Sequence, residues 1–254
     1  MLSNPTERFT GRVESYRRYR PGYPSAIVDL LRRECSLTSD SVVADIAAGT
    51  GIFTEVLLAA GFTVAAVEPN DEMRAACSGL QTSYPGLRVI SGVAEATGLP
   101  SRSIDLITVA QAMHWFDLSR TRAEFARILK PGGWCAVLYN NRRLGGDAFH
   151  EGYERLLLEF GIDYSAVKQQ HVGRKRLAEF FSPSPMTCAM IPNPQPLTLE
   201  VLEGRILSAS YMPQPGHPCF DEMRASIRRL FEGTESDGTV TMHQDCLICW
   251  GQLA

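Results

Sequence analysis

Apolar and polar residues alternate in two rhythms along the first half of the chain. Short apolar runs, "SVVADIA", "FTVAAVEPN", "LRVISG", "SIDLITVAQA" and "WCAVLYN", have the length and β-branched content of strands buried on both faces. Between them the apolar positions recur at helical spacing. In "SAIVDLLRREC" Ala26, Ile27, Leu30 and Leu31 share a face, with Ser25 placed to cap the helix. In "IFTEVLLAAG" Phe53, Val56, Leu57 and Ala60 do the same, and Gly61 closes the helix. "DEMRAACSG" reads as a short helix, and "TRAEFARILKPGG" as a longer one stopped by a Pro-Gly-Gly turn. Five strands separated by helices and short loops call for a doubly wound, mostly parallel α/β sheet of Rossmann-like type.

The rhythm changes after Asn141. A helix "DAFHEGYERLLLEFG" is followed by a polar stretch and then the proline-rich "SPSPMTCAMIPNPQP". Two further helical patterns, "LEVLEGRILSASY" and "FDEMRASIRRLFEG", precede an "ESDG" turn and a closing strand in "GTVTMHQDCLICWGQL". The expected organisation is therefore a sheet core with an N-terminal lid segment over 1–141. Residues 142–254 add a helical cap and an antiparallel C-terminal strand pair in the same sheet.

Bulk properties narrow the function classes. The 254 residues are 44% hydrophobic and 21% charged, enough for a large core. The net charge of −3 offers no basic footprint for nucleic acid. The opening "MLSNPTERFTGR" has no apolar signal region, and no run of about 18 apolar residues suggests a membrane span. Seven cysteines scattered singly suggest free thiols in a reducing cytoplasm. Cys246 and Cys249 form a lone CxxC in a β-like run, read as packing and not as a metal site. His150, His171, His217 and His243 have no partner spacing and receive no role. The composition leaves oligomeric state open.

Chemistry concentrates at the carboxyl ends of the strands, where open parallel sheets bind ligands. "VVADIAAGTGIFT" runs from a strand through a glycine bend into a helix. Gly49 and Gly51 allow close backbone approach, and Glu68, at the end of the next strand, is placed to accept from two ribose hydroxyls. The third glycine of a dinucleotide fingerprint is missing. Asp45 would repel a pyrophosphate, so the ligand expected here has a cationic end. The GxxxxGK[ST] pattern of nucleoside triphosphate loops is absent too.

"DIAAGTG", "VEPN" and "GVAEATGLP" followed by "IDLITVAQAMHWFD" resemble class I S-adenosylmethionine-dependent methyltransferases. "YRRYRPGYP", "AQAMHWFD" and "SASYMPQPG" resemble the small-molecule branch that includes trans-aconitate methyltransferase. The resemblance implies S-adenosylmethionine as cofactor, S-adenosylhomocysteine as product and a small-molecule methyl acceptor. It places Gly49 and Gly51 along methionine and ribose, Asp45 near the amino end, and Glu68 with Pro69 at the ribose. Asn70 and Met73 would border adenine, Ala94 and Glu95 its rim, and Gln111 would lie beneath the sulfonium. Ala47 stands where the family pattern DxGxGxG has its first glycine. An ordinary negative φ there would make the methyl group a modest perturbation. Val93 replaces an acid common before "AE", so adenine would be read by backbone or by Glu95.

His114, just past strand four, is the candidate general base, with shaping of the pocket beside Trp115 as the alternative. Tyr16 and Tyr19 can face a cation and Arg20 a carboxylate of cofactor or substrate, as parts of a lid. Asn140 and Arg142, at the end of strand five, are substrate-side candidates, with turn formation as the competing account. Tyr211 is carried as a substrate contact; for it and for Arg205 the competing account is packing of a helix face.

Overall fold

The computed structural model describes residues 13–169 and 173–253. The expectation about a leader in residues 1–12 and His171 lie outside the described residues.

Five parallel strands build the frame: β1 (Val42–Ile46), β2 (Thr63–Val67), β3 (Leu87–Ile90), β4 (Ile104–Ala110) and β5 (Leu129–Arg142). Two later strands, β6 (Thr187–Pro192) and β9 (Gln244–Gln252), complete a sheet of order β3-β2-β1-β4-β5-β9-β6. β9 runs antiparallel between β5 and β6. The result is a Rossmann-like sheet with the antiparallel C-terminal addition that the pattern predicts. Order reverses between β1 and β4, so the crevice for a ligand opens at their carboxyl ends.

Helices cover both faces. α2 (Ala26–Glu34) and α3 (Ile52–Ala59) pack on one side, burying Ile27, Leu31, Phe53 and Leu57 against Val43, Val64 and Leu106. α5 (Leu118–Ile128) and α8 (Arg174–Phe181) cover the other with Phe125, Ile128, Phe180 and Phe181. Burial on both faces explains why the strands read as apolar runs and not as alternating ones. α4 (Asp71–Ser78) is capped by Asn70, whose side chain accepts from the Met73 amide at 2.9 Å.

A third core lies above the carboxyl edge. α6 (Ala148–Phe160), α9 (Leu199–Leu207) and α10 (Phe220–Glu232) bury Tyr153, Leu157, Leu202, Ile206, Met223 and Ile227 together. A small antiparallel pair, β7 (Gln195–Leu197) with β8 (Val240–Met242), closes this cap. α7 (Tyr164–Gln169) follows α6. The N-terminal α1 (Val13–Tyr19) docks on the cap, where the Tyr19 ring lies so close to Gly204 that a Cβ there would sit 2.3 Å from it.

Three expectations are corrected, and one strand was not foreseen. Ser25 precedes α2 in helical conformation and makes no side-chain cap. α5 ends at Ile128, before the Pro-Gly-Gly, and those residues lie inside β5, where the pairing with β4 shifts register. The proline-rich stretch contains β6, the edge strand, where proline is tolerated because one side of the ladder is open. Finally, Cys188 and Cys249 form a disulfide, because β6 and β9 bring them directly opposite each other. Cys246, three residues from Cys249, belongs to the core on the opposite face of the sheet, as the two-residue period of a strand requires.

Candidate active site

A cavity of about 700 Å³ lies between the carboxyl edge of the sheet and the cap. That is within the usual range for small-molecule sites. Its floor is made by the residues that end β1, β4 and β5: Asp45, Ala47, Gly49, Gln111, His114 and Asn140. Its roof comes from α1, α6 and α9 and the turns that follow them: Tyr16, Arg20, Tyr153, Arg205 and Tyr211.

Asp45 anchors the floor. It is 1% exposed, and its two oxygens accept from Thr54 Oγ1 at 2.6 Å and Thr108 Oγ1 at 2.8 Å. Thr108 is the register partner of Asp45 across β1 and β4, which is why its hydroxyl reaches the carboxylate. Burial pushes the Asp45 carboxyl up to about 6; the two hydroxyls pull it down, and the Glu68 charge pushes the same way as burial. No cation pairs with Asp45 among the described residues.

Glu68 ends β2 and is 6% exposed. Its Oε2 accepts from the Gly49 amide at 2.9 Å and its Oε1 from the Asn70 amide at 2.8 Å. Burial raises its pKa, and these amides with Arg74 oppose the shift. The carboxylate thus locks the glycine bend to the end of β2, and each oxygen keeps a further lone pair for a ligand.

The backbone at the floor is unusual at two places. Ala47 has φ +55° and Gln111 φ +60°. The ordinary negative φ expected for Ala47 is therefore corrected: its methyl group sits on left-handed backbone, where glycine is the favoured residue. Gly49 (φ +59°) and Gly51 (φ +88°) share that region, but they serve different needs. Gly49 faces open space in the cavity wall, whereas a Cβ on Gly51 would come within 2.7 Å of Leu80. Gly51 thus starts α3 and lets it pack against the α4 segment.

His114 lies in a 3-10 turn, Met113–Trp115, right after β4. Its ring is 4.6 Å from that of Trp115 and 6.3 Å from that of Tyr139. The Tyr139 phenol is raised by burial and pulled back by a hydrogen bond to the His114 backbone. Asn140 donates to the Gly22 carbonyl at 3.3 Å, tying the N-terminal segment to the sheet edge, and Asn193 bonds the same carbonyl at 2.9 Å. Arg142 donates to Glu154 Oε2 at 2.6 Å and to the Tyr164 hydroxyl at 3.1 Å, with its guanidinium 4.7 Å from the Tyr153 ring centre.

Of the anticipated site residues, Tyr16, Arg20, Asp45, Ala47, Gly49, Gln111, His114, Trp115, Asn140, Arg142 and Tyr211 surround this one cavity. Gly51, Glu68, Pro69, Asn70, Met73, Ala94 and Glu95 do not line it. Met73 and Ala94 are buried, and Glu95 accepts from the Asp117 amide at 2.8 Å. Tyr19 also lies outside, its hydroxyl donating to Glu200 at 3.1 Å. Thr54, Thr108, Tyr153, Glu154 and Gln244 were not anticipated. Thr108 left a trace, a lone hydroxyl inside an apolar strand; Glu154 left none, because its partner Arg142 belongs to a different element.

Residues 44–137 match the methyltransferase domain family. An uncharacterized methyltransferase of Mycobacterium tuberculosis is 38% identical over 139 residues, which is 54% of each chain. The chain thus spans about half the length of the curated relatives it matches. Among solved structures, a proposed type II methyltransferase from Anaeromyxobacter dehalogenans superposes with a TM-score of 0.66 at 22% identity, over 92% of this chain and 97% of that one. The phosphoethanolamine N-methyltransferase 2 of Haemonchus contortus, solved with phosphomonomethylethanolamine and S-adenosylhomocysteine, gives 0.59 at 15% identity over 100% and 61%. From β1 to β5, then, the sequence matches a methyltransferase domain, and the fold around it is one that solved methyltransferases share.

Proposed function

We propose that this protein transfers a methyl group from S-adenosylmethionine to a small-molecule acceptor bound under the cap. The observation that carries the reading is Asp45, a buried carboxylate at the switch point with no cation paired to it among the described residues, facing the cavity. A ligand with an ammonium and a sulfonium suits such a floor, whereas a pyrophosphate would meet two acids, Asp45 and Glu68. The methyltransferase-domain match supports the same reading.

In this role Asp45 holds the ammonium end, Gly49 gives backbone clearance, and Glu68 accepts from the ribose hydroxyls. Asn70, Met73 and the Ala94–Glu95 segment border adenine, and Gln111 lies near the reacting centre. The bound cofactor supplies an electrophilic methyl group on a sulfonium. The protein's contribution is then position: the acceptor atom must lie roughly 3 Å from the methyl carbon, opposite the sulfur. The cap keeps water from that line of attack. Where the acceptor is a hydroxyl or amine, His114 would take the proton that the acceptor gives up on methylation.

Calorimetry with S-adenosylhomocysteine and with NAD tests the cofactor assignment. The expected result is binding of the first alone, and a preference for the dinucleotide would overturn it. Glu68→Ala is expected to weaken S-adenosylhomocysteine by about 1–3 kcal/mol. Transfer of a labelled methyl group to a panel of hydroxy, amino and carboxylic acids tests catalysis and separates an enzyme from a protein that only binds the ligand. His114→Asn is expected to slow transfer with cofactor affinity retained; full activity would remove His114 from proton transfer.

A further inference from the structure

Three nitrogen donors that line the cavity have no acceptor among the described residues, two in the roof and one at the sheet edge where β9 begins. Arg205 Nη1, Arg20 Nε and Gln244 Nε2 are buried and without a hydrogen-bond partner among the described residues, and all three side chains line the cavity. Arg205 is 8% exposed. Its other nitrogens bond only neutral oxygens: Nε donates to the Tyr19 carbonyl at 3.2 Å, and Nη2 to Gln195 Oε1. Arg20 Nη2 donates to the Ser208 carbonyl at 3.2 Å, and its guanidinium lies 5.0 Å from the Tyr16 ring centre. No carboxylate pairs with either arginine among the described residues. Arg142, in contrast, is matched by Glu154. Four arginines, Arg20, Arg142, Arg174 and Arg205, thus line the cavity, in a chain whose net charge is −3.

A buried cation held only by neutral groups is costly, and an anion that reaches the spare donors removes the cost. We propose that the methyl acceptor carries a carboxylate, and that Arg205 and Arg20 from the roof, with Gln244 from the sheet edge, hold it as a binding handle. This deepens the methyltransferase reading and rests on it. The handle is distinct from the atom methylated. A carboxylate whose lone pairs are engaged by two guanidinium groups is a poor nucleophile, and Arg205 on α9 and Arg20 just after α1 belong to the roof, opposite the floor that carries Gln111 and His114. The acceptor class is then a small carboxylic acid with a second nucleophilic group: a hydroxyl, an amine or another carboxylate.

The cofactor's own carboxylate is the other source of such an anion, and the test separates the two. Protein saturated with S-adenosylhomocysteine is titrated with short mono- and dicarboxylates and with the matching neutral amides at constant ionic strength, following thermal unfolding. At least one carboxylate is expected to raise the melting temperature where its amide does not. Arg205→Gln and Arg20→Gln are expected to weaken that response about tenfold or more, while calorimetric affinity for S-adenosylhomocysteine stays within about twofold. Equal responses to acids and amides, or none to either, would overturn the proposal. So would a tenfold loss of S-adenosylhomocysteine affinity with the carboxylate response intact, which would assign the donors to the cofactor. Should Arg205→Gln fail to fold, Arg20→Gln and Gln244→Leu carry the same comparison. A protein that binds no S-adenosylhomocysteine defeats the methyltransferase reading; the carboxylate titration without it still judges the roof.

Discussion

Asp45 shows how one side chain couples fold and ligand. Its folded carboxyl, at about 6, lies above the ordinary range near 4, so the fold favours the protonated form. The associated stability is complete below pH 4 and is lost as pH rises through 6, by on the order of 3 kcal/mol at most. A cationic ligand reverses the preference, because only the ionised form attracts it. Wild type is therefore expected to lose stability relative to Asp45→Asn between pH 4 and 7, and to gain affinity for S-adenosylmethionine over the same window. Denaturant melts and calorimetry at several pH values check both, and a flat difference between the two proteins would contradict the account. The sequence made Asp45 visible as an acid at a strand end. It did not show the two threonines that hold it, since their contact depends on β1 lying beside β4.

At the level of elements, the β1–α3 bend and the end of β4 turn the chain abruptly beneath the cavity. Ala47 and Gln111 both accept left-handed backbone to do so, at about 1–2 kcal/mol for a residue with a side chain. Ala47→Gly is expected to raise the unfolding free energy by about 1 kcal/mol, read from urea melts. No change or a loss would mean that the bend does not hold Ala47 there. Helix and strand spans in the sheet half followed from periodicity, because each element buries a regular set of apolar residues on a shared core. The cap strands did not. β6 and β7 lie among prolines, and their pairing with β9 and β8 comes from distant parts of the chain.

For the whole molecule, the cap is joined to the sheet edge through Arg142, Glu154 and Tyr164. The ion pair is mostly buried, with side chains 16% and 13% exposed. Removing one partner leaves the other charge without compensation. Arg142→Met is expected to destabilise by about 3 kcal/mol or more, and the double variant with Glu154→Leu to recover most of it. Equal losses in the single and double variants would show that the pair does not couple cap to sheet. The same geometry makes the cavity: the sheet edge alone is an open crevice, and α1, α6 and α9 roof it.

The order of apolar runs, the acids at the ends of β1 and β2 and the two glycines between them were determined by the sequence alone, since each reflects local burial or local backbone freedom. They were enough to predict a parallel sheet and a phosphate-free ligand at its carboxyl edge. Tertiary structure decided what no local pattern encodes: that Cys188 meets Cys249, that Ala47 stands on left-handed backbone, and that Arg20 and Arg205 share a roof with no carboxylate partner among the described residues. Such facts depend on which distant segments meet, and only the folded chain fixes those meetings.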